Sequence, residues 1–221
     1  MMIWLPESGL DLDHLAASSL ILGGPYSGGL KALRAAVAQA VRQGKRVYCF
    51  DGQEDWMPDD PPEGIVLRRH SRLPDHIPPM APAGELPVFS VGGLCLPDDA
   101  HFNQLWFGPQ PLVGGADFVV FSRPSLFTIE WRLLLGRIVL QSPDRLKIVM
   151  FLDGVRDRYL SFVPVFEELI VYPHDASPEL LDGMAAGLMS AREFDRIPPG
   201  QFVRIPDPSL VITHAAKGSL E

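Results

Sequence analysis

The stretch "GGPYSGGL", Gly23 to Leu30, holds the residues best placed for chemistry. Phosphate-binding loops read G-x-x-x-x-G-K-S/T. Their backbone amides cradle phosphates at a helix N-terminus, where the helix dipole adds to the attraction. The lysine reaches the β- and γ-phosphates, and the hydroxyl holds magnesium. Here Gly23 and Gly28 match the first and last glycines, with Gly24 and Ser27 between them. The lysine position is Gly29 and the hydroxyl position is Leu30. Lys31 comes two residues late. Each helical residue turns a side chain by about 100°, so Lys31 points away from a phosphate at the loop. The cradle is kept, while its charge and its metal ligand are missing. Two readings stay open: a glycine-rich turn with no ligand, or a loop whose amides at Ser27, Gly28 and Gly29 hold an anion weakly.

Two aspartates close apolar runs, Asp51 in "RVYCFD" and Asp153 in "KIVMFLD". Strand ends are where α/β sites form, so each carboxylate is a candidate ligand, and Asp153 a candidate general base. The alternative role for both is to cap a turn or helix. His70, Asp75 and His76 bring two histidines and a carboxylate close together. That set can bind zinc, but no third ligand stands at a usual spacing. They are read as solvated loop residues, and no metal or cofactor is expected. Trp56 and the pair Trp106 and Phe107 are candidates for a partner surface. Trp131, at a helical position, is read as core.

The elements that must position these residues follow from the pattern. "SSLILGG" is an apolar run ending in glycines, as a buried parallel strand would be. Leu30, Leu33, Val37, Ala40 and Val41 recur at helical spacing, and Gly44 is placed to end that helix in the left-handed conformation. "RVYCFD" is the next strand, which completes a βαβ unit. After Ala116 the alternation returns, with strands at "DFVVF", "KIVMFL", "EELIVY" and "QFVRI" and a final strand at "SLVITH". Helices are expected at "SRPSLFTIEWRLLLG" and "SPELLDGMAAGLM", the latter with Pro178 at its first position. Such alternation means an α/β sandwich around a mainly parallel sheet.

Between these blocks, residues 56–113 hold 11 of the 22 prolines. Proline lacks an amide donor and fixes its own torsion. This insertion is therefore expected to be mostly irregular, with short strands at "GIVLRR" and "LPVFSVGGL". It is expected to cover the sheet ends or the loop, with Tyr26 or Trp106 filling space a nucleotide would need. The whole of 1–221 is read as one domain.

Bulk properties exclude several classes. At 221 residues, 47% hydrophobic and 21% charged, the composition is that of an ordinary globular domain. The net charge of −8 argues against a protein that grips DNA mainly through phosphates. No apolar run reaches the roughly 18 residues of a membrane span. The opening residues lack a basic region ahead of an apolar run, so no secretory signal is expected. Two cysteines, Cys49 and Cys95, are too few for a disulfide framework, and Cys49 is read as a buried reduced thiol. A cytoplasmic setting fits.

The order of these features resembles the ATPase domain of conjugative coupling proteins, in the TraD/FtsK/HerA branch of RecA-like motors. There the loop leads to a helix and to a strand ending in "DPKGD" or "DPHGD"; here the strand ends "FDGQED", Asp51 matching the first aspartate. Next in that family comes a strand ending in Asp-Glu, which binds magnesium and activates water; here "DFVVFSR" offers Ser122 and Arg123. A strand ending in Thr-Gln senses the γ-phosphate; here Leu152 and Asp153 stand there. "LMSAREFDRIPPGQFVRI" resembles the family's closing "L.t..e...LP.GQ..v" segment, the most specific local likeness. The likeness covers roughly 18–55 and 116–214. It implies a RecA-like three-layer sandwich. The departures at Gly29, Leu30, Ser122, Arg123 and Leu152 imply a pseudo-ATPase, an interaction or assembly component with a protein partner, an active motor or transfer complex among the candidates. An oligomer is compatible with this. The alternatives are a nucleotide-dependent enzyme with an atypical loop and a small-ligand enzyme using Asp51 or Asp153.

Overall fold

A computed structural model describes residues 7–24, 27–57, 59–70, 82, 84–90, 115–123, 136–140, 146–153, 165–173 and 196–206. In chain order the strands are β1 (Glu7–Ser8), β2 (Ser18–Gly23), β3 (Val47–Asp51), β4 (Val66–His70), β5 (Glu85–Ser90), β6 (Phe118–Ser122), β7 (Lys147–Leu152), β8 (Glu168–Tyr172) and β9 (Gln201–Ile205). Helix α1 (Gly29–Arg42) joins β2 to β3. The fold is α/β with a mostly parallel sheet, as the alternating pattern implies. Every strand expected at "SSLILGG", "RVYCFD", "DFVVF", "KIVMFL", "EELIVY" and "QFVRI" forms. "SLVITH" and the helix at "SPELLDGMAAGLM" lie outside the described residues. Residues 136–140 are helical, starting at Gly136 where "SRPSLFTIEWRLLLG" ends, and 124–135 of that expected helix lie outside the described residues.

Two compact units divide the chain, Met1–Leu33 with Phe151–Glu221, and Arg34–Met150. In the first, β2 pairs with β8 in parallel, from Ser19↔Glu168 to Gly23↔Tyr172. β9 then runs antiparallel to β8 and to β1. All residues of β2 and β8 are buried, which is why both read as unbroken apolar runs rather than alternating ones. Their register is held at one end by Glu168. Its carboxylate accepts the Ser19 hydroxyl at 2.6 Å and Arg204 Nη1 at 2.8 Å. The ion pair is partly buried, and both acid oxygens have donors, as a buried charge requires.

In the second unit β3 lies between β5 and β6, parallel to both, and β4 adds to β5 in parallel. Thus 66–70 and 85–90, inside the proline-rich region, extend the sheet. Pro87 stands within β5, whose neighbour β4 pairs Arg68 with it. Phe121, Phe50, Phe89 and His70 stand in register across β6, β3, β5 and β4. Their ring centroids are 5.0, 5.4 and 5.0 Å apart, a row of the kind that stabilises neighbouring strands.

That row corrects one expectation. His70 is not a loop residue but ends β4, stacked on Phe89, and burial pushes its pKa below the ordinary value. Trp56 is a second correction. It is fully buried rather than part of a surface, with the Arg34 guanidinium 5.8 Å from its ring centroid. Asp75, His76, Trp106, Phe107, Trp131 and Tyr26 lie outside the described residues. Cys49 is a free thiol at the centre of β3, and burial pushes its pKa up.

Helix α1 buries Leu33, Ala36, Val37, Ala40 and Val41 and leaves Lys31, Gln39 and Arg42 outward. It ends as its sequence implies. Gly44 has φ of +82°, its N–H donates to Val41 O, and Lys45 N–H donates to Ala40 O, each at 3.0 Å. This six-to-one and five-to-two pair is the Schellman stop.

Candidate functional site

The loop between β2 and α1 belongs to the first unit. Gly23, the last residue of β2, and Gly24 are buried. Ser27 is fully buried; its N–H donates to Gly24 O at 3.2 Å and its hydroxyl accepts the Gly29 N–H at 3.2 Å. That hydroxyl therefore takes one of the donors that a helix N-terminus leaves unpaired. Gly28 has φ of +86°, open to glycine at no steric cost. A Cβ at Gly28 would stand 3.2 Å from the Cα of Gly200, and Gly200 N–H donates to Ser27 O at 3.3 Å. The "PPGQ" turn, noted in sequence only as a family likeness, thus braces the loop.

Gly29 is the lysine position of the motif. A Cβ there would stand 3.0 Å from Tyr172 Cδ2 and 3.1 Å from Phe151 Cε2. Two aromatic rings fill the volume into which a side chain would begin. Tyr172 is fully buried, packed 5.3 Å from Phe202 by centroid. Burial raises the phenol pKa, and its hydroxyl has no hydrogen-bond partner among the described residues. Leu30 is half-buried at the hydroxyl position and carries no oxygen. Asp153, directly after β7, is exposed.

The second unit holds the other strand-end residues. Asp51 is buried, and its carboxylate accepts backbone N–H groups of Gln53 at 3.3 Å, Asp55 at 3.0 Å and Trp56 at 3.1 Å. Arg69 Nη1 stands 3.5 Å from it. Desolvation raises the Asp51 pKa, and the three backbone donors oppose that shift. Such an aspartate shapes the turn after its strand.

Register places Asp51 beside Ser122, so the chain leaving β3 meets the chain leaving β6. There Ser122 Oγ donates to Asp55 Oδ2 at 2.5 Å, Arg123 Nε donates to the same oxygen at 2.9 Å, and Arg123 Nη2 pairs with Oδ1. This is a two-point guanidinium–carboxylate fork. Arg123 holds φ of +42°, a region costly for a residue with a Cβ. In sequence Asp55, with Glu54, stands near the position of the second aspartate in the family's "DPKGD" or "DPHGD". Its link to Arg123 spans 68 residues, and the one signal was an acid and a base following two aligned strands. Among the described residues no group of three metal-ligating side chains gathers.

The geometry matches solved structures. The genome packaging NTPase B204 from Sulfolobus turreted icosahedral virus 2, in complex with AMPPCP, aligns with a TM-score of 0.56 and 12% identity, over 88% of this chain and 94% of its own. The DNA-packaging ATPase B204 from Sulfolobus Turreted Icosahedral Virus gives 0.58 and 12%, over 87% and 93%. The sulfate complex of the first protein gives 0.57 and 12%, over 88% and 92%. The chain has the fold of a P-loop NTPase. No protein-family model matches the sequence, and no curated protein does. At this identity the likeness concerns the fold, and the chemistry has to be read from the side chains. Among the described residues no helix is long and apolar enough to cross a membrane.

Proposed function

We propose that this protein is a pseudo-ATPase, a P-loop-type fold retained without ATP hydrolysis. In this reading it descends from a motor of the conjugative coupling type. It serves in the cytoplasm as an assembly or interaction component beside an active DNA-translocating or transfer motor. The observation that carries the reading is the packing at Gly29, where the rings of Tyr172 and Phe151 crowd the place of a lysine's first carbon at 3.0–3.1 Å. Phosphoryl transfer depends on positioning and on charge stabilisation by lysine and magnesium. Gly29 brings no charge, Leu30 no metal ligand, and Ser122 and Arg123 no carboxylate. Loss of one oxyanion-stabilising donor costs about 100- to 1000-fold in rate, so several losses together leave no measurable turnover.

Purified protein with ATP and magnesium is expected to release no phosphate above background. Magnesium-dependent turnover that Gly28→Val abolishes would overturn the reading. It would favour instead a nucleotide-dependent enzyme with an atypical loop, the alternative to which the AMPPCP complex of the structural neighbour lends weight. Co-purification with a motor protein whose own loop carries the lysine would support the assembly role.

A further inference from the structure

Among the described residues β4 ends the row of strands in the second unit, with β5 on one side and no strand on the other. Its register fixes which backbone groups face outward. Val66 N–H donates to Gly84 O at 2.9 Å, and Val66 pairs with Glu85 in parallel. In a parallel ladder the N–H and C=O of one residue point to the same side, and those of the next residue to the other. Val66, Arg68 and His70 therefore bond to β5, and the N–H and C=O of Leu67 and Arg69 face away from the sheet. These four groups have no partner among the described residues. Such an edge invites another strand, and proteins ordinarily blunt it with outward charges, proline or a bulge. β4 has no proline, and its register with β5 runs unbroken from Val66 to His70. Its two arginines are engaged elsewhere. Arg68 pairs back to β5, with Nε 3.0 Å from Glu85 Oε2 and Nη2 donating to Oε1 at 3.1 Å. Arg69, 17% exposed, turns inward, where Nη1 donates to Trp56 O at 3.2 Å and stands 3.5 Å from Asp51 Oδ2. Val66, by contrast, is 62% exposed.

We propose that this edge takes an extended segment of a partner protein, in which β-branched apolar residues alternate with lysine or arginine. Strand addition supplies backbone bonds to Leu67 and Arg69, and alternation sends the added side chains to two faces. On the face of Val66 an apolar side chain packs on exposed hydrocarbon. On the face of Arg69 a basic side chain meets acid. Glu54 Oε1 stands 3.5 Å from Arg69 Nη2, so one guanidinium is shared between the carboxylates of Asp51 and Glu54. Asp59 and Glu63, exposed in the segment that leads into β4, add negative charge, against which Arg42 on the Glu63 carbonyl supplies one cation. The chain as a whole carries −8. A second copy of this chain is the poorer occupant, since two-fold pairing of identical edges brings the same acids toward each other. Such a surface serves the assembly role proposed above and does not depend on the state of the β2–α1 loop.

The test uses the full chain and a short labelled peptide of alternating valine and lysine, followed by fluorescence anisotropy. Its dissociation constant is expected to lie about tenfold or more below that of the matching valine–glutamate peptide. Two further forms of the lysine peptide carry N-methyl groups on all the valines or on all the lysines, which keeps the charge. One set of nitrogens faces β4, so one form is expected to bind about tenfold or more weakly than the parent while the other still binds. Leu67→Pro removes an outward N–H without touching a bond to β5, and edge strands accept proline at such a place. It is expected to weaken binding in the same way, and the methylated peptides give the answer if it does not fold. Hydrogen exchange at the Leu67 and Arg69 amides is expected to slow when the peptide binds. The proposal is overturned if neither peptide binds, if both bind alike, if neither methylated form differs from the parent, or if exchange at those two amides is unchanged. A dimer in sedimentation that Leu67→Pro dissolves would overturn it as well, because a second copy would then be the occupant. Whether wild type hydrolyses ATP alters none of these readouts, so the edge and the pseudo-ATPase reading stand or fall separately.

Discussion

At Gly29 the place for a side chain is taken by two aromatic rings, whereas at Arg123 a long charged side chain is present and held by an acid. The sequence resemblance aligns both positions with catalytic groups of a motor, and they differ in what surrounds them. Apolar rings lie against the loop, those of Tyr172 and Phe151 at Gly29, with Phe202 packed on Tyr172. The ends of β3 and β6 are polar, with every oxygen of Asp51 and Asp55 engaged by N–H or O–H donors. The first region is closed by volume, the second by charge compensation. Added volume in such a place costs stability. A charge pair tolerates removal of both members far better than removal of one.

The largest effect should come from breaking that pair. Asp55 has a side chain 1% exposed, against 23% for Arg123. Asp55→Ala removes the buried carboxylate to which Arg123 and Ser122 both donate, and should cost about 3–5 kcal/mol in urea unfolding. Changing both members together, Asp55→Leu with Arg123→Met, should recover most of that loss. Equal losses in the single and double variants would show that shape, not charge, governs this region too.

Gly29→Lys probes the loop. Its Cβ enters at 3.0–3.1 Å from two rings, and overpacking of this kind costs about 1–3 kcal/mol. Restoring the lysine should therefore lower stability without restoring ATP turnover. A stable Gly29→Lys variant with a normal melting temperature would mean that the rings give way easily and that volume does not close this position.

Asp51→Asn should have the smallest effect, about 1–2 kcal/mol, because the amide group can still accept from Gln53 and Asp55 but turns a donor toward the Trp56 N–H. Its pH dependence carries a sign. Burial raises the Asp51 pKa above the ordinary value, so the native state prefers the protonated acid more than the unfolded chain does. That contribution is fully present below the unfolded value near about 3.9 and is lost as pH rises through the folded value. The stability gap between wild type and Asp51→Asn should narrow as pH rises through that window. A gap that widens instead would mean that the three backbone donors outweigh desolvation.

The strands were legible because their cause is local. A buried parallel strand needs apolar side chains on both faces, so "LILG", "VYCF" and "IVMFL" show themselves as unbroken runs. The end of α1 was equally legible, since only glycine takes the left-handed torsion at Gly44 without penalty. The loop glycines and the absence of lysine at Gly29 could be read directly. The place of Trp56 and His70 could not, because burial depends on what packs over a residue. Trp56 stands among prolines in sequence, yet it is fully buried with the Arg34 guanidinium over its ring.

What the amino-acid order determined by itself was the run of elements and the residue types at the loop and strand ends. What only the tertiary structure decided was who meets whom. Tyr172 comes beneath Gly29 because β8 pairs with β2 at Gly23↔Tyr172. Asp55 reaches Arg123 because β3 pairs with β6 at Asp51↔Ser122. Both contacts join residues far apart in the chain through strand register, and register is a property of paired strands that no single strand encodes.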